Sequence, residues 1–403
     1  MQRQAQGPSG RHGAGEVFRV TLGLGLTSFG GPIAHLGYFE RAYVRERQWL
    51  SADDYAGLVA LCQLLPGPAS SQVGLLVGLR RAGWAGAVAA WAGFTLPSAL
   101  VLFVFALLAP KLHGPVFEAV LHGLQLVAVA VVAQAVWSMA QKLCPDRRRA
   151  GLALAAATLM LVVGGAAVQI LVLVLGAVGG VLLCRDLPVL PALPAMPVSP
   201  RAGGVALVLF LLMLVALPMA GRAAPGSLLS VASLFYQAGA LVFGGGHVVL
   251  PLLRDALVPS GWLPDDLFLA GYGATQAMPG PLFAFSAYLG AAIAPSGSAA
   301  LWSAVALVFM FLPGTLIALA GVPLWTWLAH GPSAKAGLAG VNAAVVGVLA
   351  AALYDPIWTS AIRGNRDVAI AAVGFLLLER WRVTPLAVVG FCMIAALVSA
   401  AVL

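Results

Sequence analysis

Charged residues are scarce in this chain of 403 residues: Asp, Glu, Lys and Arg together make up 9% of it, against about 25% in a typical soluble protein. So few charged side chains do not cover the surface of a soluble protein of this size, which argues against two or three ordinary soluble domains. Hydrophobic residues reach 61% and fall in stretches long enough to cross roughly 30 Å of hydrocarbon. The composition therefore predicts an all-α polytopic membrane protein.

Cysteine is also scarce. The four cysteines lie far apart, with no CxxC motif and no His/Cys ligand spacing, which argues against a disulfide framework, a zinc site and an iron–sulfur cluster. The chain also lacks a P-loop and the HExxH, GxSxG and paired DxD motifs, so an ATP-driven pump and the common hydrolases are not indicated. We expect no metal, no cofactor and no catalytic residue. The net charge of +8 follows from the positive-inside rule rather than from binding nucleic acid.

Apolar blocks predict about thirteen transmembrane segments. They lie at 17–37, 55–79, 84–109, 116–140, 150–164, 167–184, 203–220, 229–251, 267–291, 298–322, 337–354, 367–378 and 385–403. The distribution of Lys and Arg between alternate loops favours a cytoplasmic N-terminus and an external C-terminus. Arg41, Arg45 and Arg47 fit this orientation better if 17–37 is a broken or re-entrant element than if it is a plain span.

The chain repeats itself at an offset of about 214 residues. The matched landmarks are Phe29-Gly30-Gly31 with Phe243-Gly244-Gly245, Trp49-Leu50 with Trp262-Leu263, Asp53-Asp54 with Asp265-Asp266, Pro66-Gly67-Pro68 with Pro279-Gly280-Pro281, Leu96-Pro97 with Leu312-Pro313, and Gly123 with Gly340. We expect a cytoplasmic tail at 1–15, a first repeat at 16–185, a Pro-rich linker with an extra span at 186–228, and a second repeat at 229–403. The extra span would invert the second repeat, as in many secondary transporters whose substrate site lies between the repeats.

One segment of each repeat interrupts the apolar pattern with glycine, and both interruptions are candidate binding elements. The residues are Gly30, Gly31, Pro32 and His35 in the first, and Gly244, Gly245, Gly246 and His247 in the second. Such glycine and proline runs predict spans that unwind at membrane depth, where freed backbone groups need a partner. Two alternatives stay open: the glycines permit close helix packing, and the histidines are satisfied buried side chains rather than ligands or proton carriers.

A second segment of each repeat contains Pro-Gly-Pro, which ends one helix and begins another. The candidates are Gln63, Pro66, Gly67, Pro68, Ser70, Ser71 and Gln72, and in the second repeat Gln276, Pro279, Gly280 and Pro281. The N-terminus of such a half-helix presents unpaired N–H groups and the positive end of the helix dipole, which suits an anion. Phe283, Ala284 and Phe285 replace the polar residues in the second repeat, so the halves are not expected to contribute equally. The alternative is a Pro-kinked packing helix.

Six further polar residues are accessory candidates: Glu40, Arg41, Arg80, Arg81, Gln125 and Asn342. Glu40 and Arg41 are predicted to pair at the end of the first break. Arg80 and Arg81 either neutralise an anion or anchor the chain at the cytoplasmic surface. Gln125 and Asn342 occupy matched positions in apolar spans, where they either face the site or join helices.

The motifs FGGPIAHLGYF, CQLLPGPASSQVG and GFTLPSA, followed by FGGGHVVLP and QAMPGP, resemble in their order those of the chromate ion transporter family, over about residues 16–403. The resemblance implies a bacterial inner-membrane protein that exports chromate through two inverted halves, with the residues of the breaks and turns along the pathway. A sulfate or other oxyanion transporter stays open, as does a membrane-embedded enzyme, although we find no catalytic constellation. Membrane lipid and a second copy of the chain complete the expected partners.

Chromate is a tetrahedral oxyanion with up to two negative charges. Moving a dianion outward gains roughly 4.6 kcal/mol per 100 mV, from about 2.3 kcal/mol per charge. Export is therefore expected to run on the membrane potential, the proton gradient or both, by alternating access at the interface of the repeats. Carboxylates are scarce at mid-span, which leaves His35 and His247 as the expected proton carriers.

Overall fold

The computed structural model of the chain describes residues 13–109, 114–184, 191–243 and 246–401, and within these ranges the regular elements are helical. The α-helices are α1 Ala14–Thr27, α2 Gly31–Phe39, α3 Ala52–Leu64, α4 Ala69–Leu108, α5 Pro115–Leu143, α6 Arg147–Val162, α7 Ala166–Leu183, α8 Pro200–Ala223, α9 Leu228–Ala240, α10 Val249–Leu257, α11 Asp265–Gln276, α12 Phe285–Ala292, α13 Ala299–His330, α14 Pro332–Ala352, α15 Thr359–Ala361, α16 Asn365–Glu379 and α17 Pro385–Ala401. Short 3₁₀ turns precede α10 and α12, and π-helical turns follow α2 and α14.

Five helical segments in the described part of the chain are long and apolar enough to cross a membrane. They are Ala69–Leu108, Pro115–Leu143, Pro200–Ala223, Ala299–Trp325 and Pro332–Ala361. Several shorter apolar helices accompany them, so the chain is an all-helical, multi-pass membrane protein. The predicted number of thirteen spans is not confirmed. Because Ala82 and Gly83 have non-helical backbone angles, α4 consists of two helices, α4a (69–81) and α4b (84–108).

Helices α1 and α2 form a hairpin rather than one continuous span. The chain reverses at Gly30 and Gly31, which have φ angles of +98° and +78°. Arg81 lies 3.6 Å from Glu16 at the start of α1, and its guanidinium lies over the ring of Trp49, beyond the end of α2. The segment therefore enters the helix bundle and returns to the same end, which we call the Arg81 end.

Helices α3 and α4a form a second hairpin whose tip is Pro66-Gly67-Pro68. Asp54 at the start of α3 and Arg80 at the end of α4a pair at 3.1 Å, so this hairpin also begins and ends at the Arg81 end. The apolar blocks 17–37 and 55–79 thus fold as hairpins of two short helices. An apolar stretch of this length can cross a membrane once or enter and return, because its hydropathy is the same in both cases.

The second half of the chain contains the corresponding pairs, α9 with α10 and α11 with α12. Arg254 near the end of α10 pairs with Asp265 at the start of α11, at 2.6 Å. The Tyr288 hydroxyl of α12 donates to the Leu267 carbonyl at 2.8 Å. These ends lie together at what we call the Asp265 end. Helix α8 leads there: it begins after the linker that contacts Gly57 of α3, and it is long enough to cross about 36 Å.

Helices of the two halves pack directly on each other through glycine. Gly340 of α14 lies against the backbone of Gly176 and Gly180 in α7, and Gly123 of α5 lies against Met393 of α17. Each half thus places its last helix on a long helix of the other half, so neither half forms a separate packing unit. The inverted relation of the repeats and the boundaries 16–185 and 229–403 stay predictions.

Candidate functional site

Two reciprocal backbone hydrogen bonds join the Pro-Gly-Pro turns to the glycine breaks. The Gly67 N–H donates to the Val242 carbonyl at 2.7 Å, and the Gly280 N–H donates to the Ser28 carbonyl at 2.9 Å. Val242 and Ser28 directly precede the two Phe-Gly-Gly sequences. The turn of each half is therefore bonded to the break of the other half. We call the place where these four segments meet the central junction.

Both turns need glycine at their centre. Gly67 and Gly280 have φ angles of +112° and +97°, which side chains rarely adopt. A Cβ atom on Gly67 would stand 2.8 Å from the Cα of Gly314, and one on Gly280 would stand 3.0 Å from the Ser98 Oγ. The Gly67 turn thus approaches the backbone of α13 too closely for a side chain, and the Gly280 turn is in tight contact with α4b.

Helix α4a begins at the central junction with a set of hydrogen-bond donors. Its first helical bond runs from the Gln72 N–H to the Pro68 carbonyl at 2.9 Å, so the N–H groups of 69–71 have no acceptor inside the helix. The Ser71 hydroxyl is buried and has no partner among the described residues. Gln72 donates to the carbonyls of Pro66 and Gly314, both at 2.8 Å. This half-helix carries the donors that an oxyanion requires.

The second half-helix has no such side chains, because Phe283, Ala284 and Phe285 occupy the matched positions. Hydroxyl-bearing residues of the first half lie on the segments that contact the Gly280 turn instead. These are Ser28, Thr95 and Ser98, all buried. None was singled out from the sequence, although Ser28 directly precedes the first glycine break and Thr95 and Ser98 flank Leu96-Pro97. A hydroxyl next to a glycine or proline interruption in an apolar helix is the signal that would have identified them.

Both predicted histidines lie at the central junction. The His35 Nδ1 is 3.4 Å from the Ser70 Oγ, and its ring packs edge-on against Phe94. The His247 Nδ1 is 2.6 Å from the Tyr272 hydroxyl, and its Nε2 would stand 3.8 Å from a Cβ atom on Gly31. The histidines thus have neutral partners, and their role as ligands or proton carriers stays a prediction.

The remaining candidate residues of the breaks and turns have no contact among the described residues that places them at the central junction. Gln63 is exposed, whereas Gln276 is partly buried with an Nε2 that has no partner in the described part of the chain. Gly246 begins the 3₁₀ turn before α10. Gly244 and Gly245 lie outside the described residues, as do the tail at 1–12 and the first residues of the linker, 185–190.

The predicted pair between Glu40 and Arg41 is wrong. Arg45 pairs with Glu40 at 2.8 Å and Arg41 pairs with Glu46 at 2.7 Å. The reason is the π-helical turn over Glu40–Glu46, which brings side chains five residues apart onto one face. Arg80 and Arg81 pair with acidic residues at the Arg81 end, as a surface anchor would.

Gln125 joins helices near the Asp265 end, together with a histidine that the sequence analysis did not select. Its Nε2 donates to the Asp266 carbonyl at 3.2 Å, and its Oε1 lies 3.2 Å from the His122 Nδ1. The His122 Nε2 lies 2.9 Å from an oxygen of Asp367, 245 residues away. Asn342, at the matched position in α14, is partly buried.

The chain is similar to known proteins over most of its length. The family model described as "Chromate transporter" matches residues 15–181 and 229–398. A chromate transport protein of Pseudomonas aeruginosa is 29% identical over 91% of this chain and 87% of its own length. A probable chromate transport protein of Synechococcus elongatus is 28% identical over 84% and 83%, and a chromate transport protein of Cupriavidus metallidurans is 26% identical over 82% and 80%.

No solved structure matches the chain. The family and the relatives are transporters rather than enzymes, which agrees with the lack of catalytic motifs. Because the family model covers most of the sequence in two segments, the chain belongs to the chromate transporter family.

Proposed function

We propose that the chain is a secondary transporter that exports chromate across the bacterial inner membrane through the central junction. The observation that carries this proposal is the reciprocal bonding of each Pro-Gly-Pro turn to the break of the other half. This bonding brings a half-helix N-terminus, unpaired N–H groups and buried hydroxyls to the middle of an apolar bundle. The names of the relatives supply the ion.

The donors at the junction suit transient binding of an oxyanion. Backbone N–H groups and hydroxyls are neutral, so they stabilise the negative oxygens through hydrogen bonds and the helix dipole without a permanent ion pair. A transported ion must bind well enough to enter and weakly enough to leave. Neutral donors meet both requirements for a dianion whose release is favoured by the membrane potential.

The hairpins provide a basis for alternating access. Two hairpins enter the bundle from the Arg81 end and two from the Asp265 end, and their tips are bonded to each other at the centre. Movement of one pair against the other opens the junction to one end at a time. Family matches to two separate segments support the underlying repeat.

The distribution of arginine supports a cytoplasmic Arg81 end. Because the first hairpin returns to this end, Arg47 and Arg81 both lie over the ring of Trp49, and Arg41 and Arg45 precede them in the π-helical turn. The cluster that was difficult to reconcile with a plain span thus follows the positive-inside rule. In this orientation export moves a dianion down the membrane potential.

The function is tested by radiolabelled chromate accumulation in cells with and without the chain, with sulfate as competitor. Export predicts lower accumulation in cells that contain the chain, and a smaller difference when the membrane potential is collapsed. Higher or unchanged accumulation would reject chromate export. Complete competition by sulfate would identify a general oxyanion transporter.

Replacement of Ser70 and Ser71 with alanine is expected to reduce the chromate transport rate about tenfold or more. Each hydroxyl that bonds a charged ligand contributes about 1.5–3 kcal/mol, and tenfold corresponds to about 1.4 kcal/mol. Uptake into inside-out vesicles measures the effect. Ser286→Ala is the matched control, because this buried hydroxyl of α12 donates to its own Phe283 carbonyl. Equal rates in the double variant and the control would reject the site on α4a.

Energy coupling by protons is best supported at His122 rather than at His35 or His247. The Gln125 amide donates through Nε2 to the Asp266 carbonyl, which directs Oε1 towards His122. Both ring nitrogens of His122 therefore face acceptors, Gln125 Oε1 and Asp367 Oδ1. Only the doubly protonated imidazole donates to both. A neutral imidazole donates to only one of the two acceptors. It therefore loses either the bond to Gln125 within α5 or the bond to Asp367 of α16, which links protonation to packing at the Asp265 end.

The charged groups on elements packed against α5 define the surroundings of His122. Those near the Asp265 end are Asp265, Asp266, Asp355, Arg363, Arg366 and Asp367, with Glu118 on α5 itself. Lys142, Lys335 and Glu379 lie towards the opposite ends of their helices. Asp367 is held from its other side by the Arg363 backbone N–H at 2.8 Å, so its carboxylate joins Arg363 to His122.

His122→Gln is expected to remove the response of chromate transport to a pH gradient while potential-driven transport continues. For one coupled proton, one pH unit changes the accumulation ratio of chromate about tenfold. The measurement is chromate accumulation in proteoliposomes at zero membrane potential with an imposed pH gradient. Glu379→Gln is the control, because Gln134 of α5 contacts Glu379 of α16 at 3.3 Å without a histidine. An unchanged gradient response in His122→Gln would assign coupling elsewhere.

A further inference from the structure

The two Pro-Gly-Pro turns are polar in complementary ways. The first turn leads into a half-helix that carries Ser70 and Ser71 itself. The second leads into Phe283 and Ala284, and the hydroxyls near it come from Ser28, which follows α1, and from α4b of the first half. In the second half, the positions that correspond to these hydroxyl-bearing residues lie near the first turn and are apolar. The matched pairs are Ser28 with Val242, Thr95 with Phe311, and Ser98 with Gly314.

The second turn is seated directly on the hydroxyl-bearing segments. The Gly280 N–H donates to the Ser28 carbonyl, and a Cβ atom on Gly280 would stand 3.0 Å from the Ser98 Oγ and 3.1 Å from the Phe94 carbonyl. The first helical bond after the turn runs from the Ala284 N–H to the Pro281 carbonyl at 3.0 Å. The N–H groups of 282 and 283 are therefore without an acceptor in their own helix.

Two of the three hydroxyls near the second turn are buried without a hydrogen-bond partner among the described residues. The Ser28 and Thr95 side chains are 0% exposed, and neither hydroxyl has a partner in the part of the chain that the structure describes. The Ser98 hydroxyl donates to the Thr95 carbonyl at 3.1 Å. Buried polar groups are rarely left unpaired, because desolvation without a new bond costs stability. A ligand with acceptor oxygens would supply the missing partners.

We propose that the second turn is a second oxyanion subsite, built across the two halves from Ser28, Thr95 and the first N–H groups after Pro281. The proposal rests on the proposed function and adds to it that the chain holds two oxyanions, one at each turn. The ligand class is a tetrahedral oxyanion such as chromate or sulfate, because the groups provided are hydroxyl and N–H donors at a half-helix N-terminus.

A second subsite close to the first also favours release. A dianion that fills one subsite repels a dianion in the other across a low-dielectric interior. Occupation of the second subsite therefore weakens binding at the first, as in ion pathways where neighbouring ions displace each other. The pathway is then a transfer from one turn to the other rather than release from a single deep site.

The test is equilibrium binding of radiolabelled chromate to the purified full-length protein, from which the number of ions bound per chain is obtained. We expect two ions for the unmodified chain and one for the double variant Ser28→Ala with Thr95→Val, which removes both hydroxyls with little change in volume. Thr315→Val is the matched control and should bind two, because the Thr315 hydroxyl of α13 already donates to the Phe311 carbonyl at 3.1 Å.

The outcomes distinguish failure of the second subsite from failure of the proposed chromate export. One ion per chain in the unmodified protein, or two in the double variant, would overturn the second subsite and leave the proposed function intact. No binding in the unmodified protein would reject the proposed function and the subsite with it. If the double variant does not assemble, the single variant Thr95→Val decides: the subsite predicts at least about tenfold weaker binding of the second ion, and unchanged binding overturns it.

Discussion

Gly67→Ala is expected to reduce the chromate transport rate by about tenfold or more. The backbone φ of +112° at Gly67 is strained for alanine, and the new Cβ atom would meet the Cα of Gly314 at 2.8 Å. The turn has to move away from α13, which breaks the bond from the Gly67 N–H to Val242 and displaces the first N–H groups of α4a. A displacement of about 1 Å at a binding site is sufficient for an effect of this size.

Gly114→Ala separates the effect of contact from that of backbone strain. Gly114 has a φ of +114°, and a Cβ atom placed on it meets no atom of the described residues within 4 Å. Both variants therefore place alanine at nearly the same positive φ, and they differ in the collision with α13. Transport in proteoliposomes, normalised to the amount of folded protein, should fall in Gly67→Ala alone. A similar fall in both variants would mean that the close approach at the central junction is not required.

Gly340→Ala is expected to destabilise the protein by about 1–3 kcal/mol, the usual cost of inserting a methyl group into a filled interface. Its Cβ atom would overlap the carbonyl oxygen of Gly176 and stand 2.5 Å from the Cα of Gly180. Both contacts are backbone atoms of α7, which do not rotate away. The whole of α7 would have to separate from α14, and with it the packing between the two halves.

Gly337→Ala provides the control one turn earlier on the same helix. The nearest atoms to its Cβ would be 3.5 Å and 3.6 Å away, an ordinary contact distance. Alanine is also favoured over glycine inside a helix by about 1 kcal/mol. Thermal unfolding in detergent should therefore show a lower midpoint for Gly340→Ala and an equal or higher midpoint for Gly337→Ala. The reverse order would contradict the packing of α7 on α14.

The chemistry of single segments was predictable from the sequence. Glycine and proline impose breaks through local backbone geometry, so the interruptions at Gly30, Gly31 and the two Pro-Gly-Pro turns were found as such. The helical class followed from composition alone. The half-helix at Pro68 and its donors at Ser70 and Ser71 required no knowledge of other segments.

The contacts between distant segments were not predictable in the same way. The local sequence at 55–79 does not distinguish a hairpin from a span that crosses the membrane. The ion pair between Asp54 and Arg80, which joins the two ends of the segment, shows that it is a hairpin. His122 meets Asp367 across 245 residues, and neither belongs to a matched landmark of the repeat. Thr95 lies inside a long apolar helix. It became a candidate binding residue because the second turn contacts Phe94 and Ser98 on either side of it. Such pairings are set by tertiary packing, which a single sequence does not display.

The reciprocal bonds at the central junction constrain how the protein is made. The first half leaves the ribosome before Val242 and Gly280 exist, so the Gly67 N–H and the Ser28 carbonyl enter the membrane interior without their partners. Unpaired backbone groups in hydrocarbon are costly. We therefore expect the newly inserted first half to remain incompletely folded, with its hairpin tips hydrated or held by the insertion machinery, until the second half arrives. The centre of the molecule is then the last part to be completed during biosynthesis.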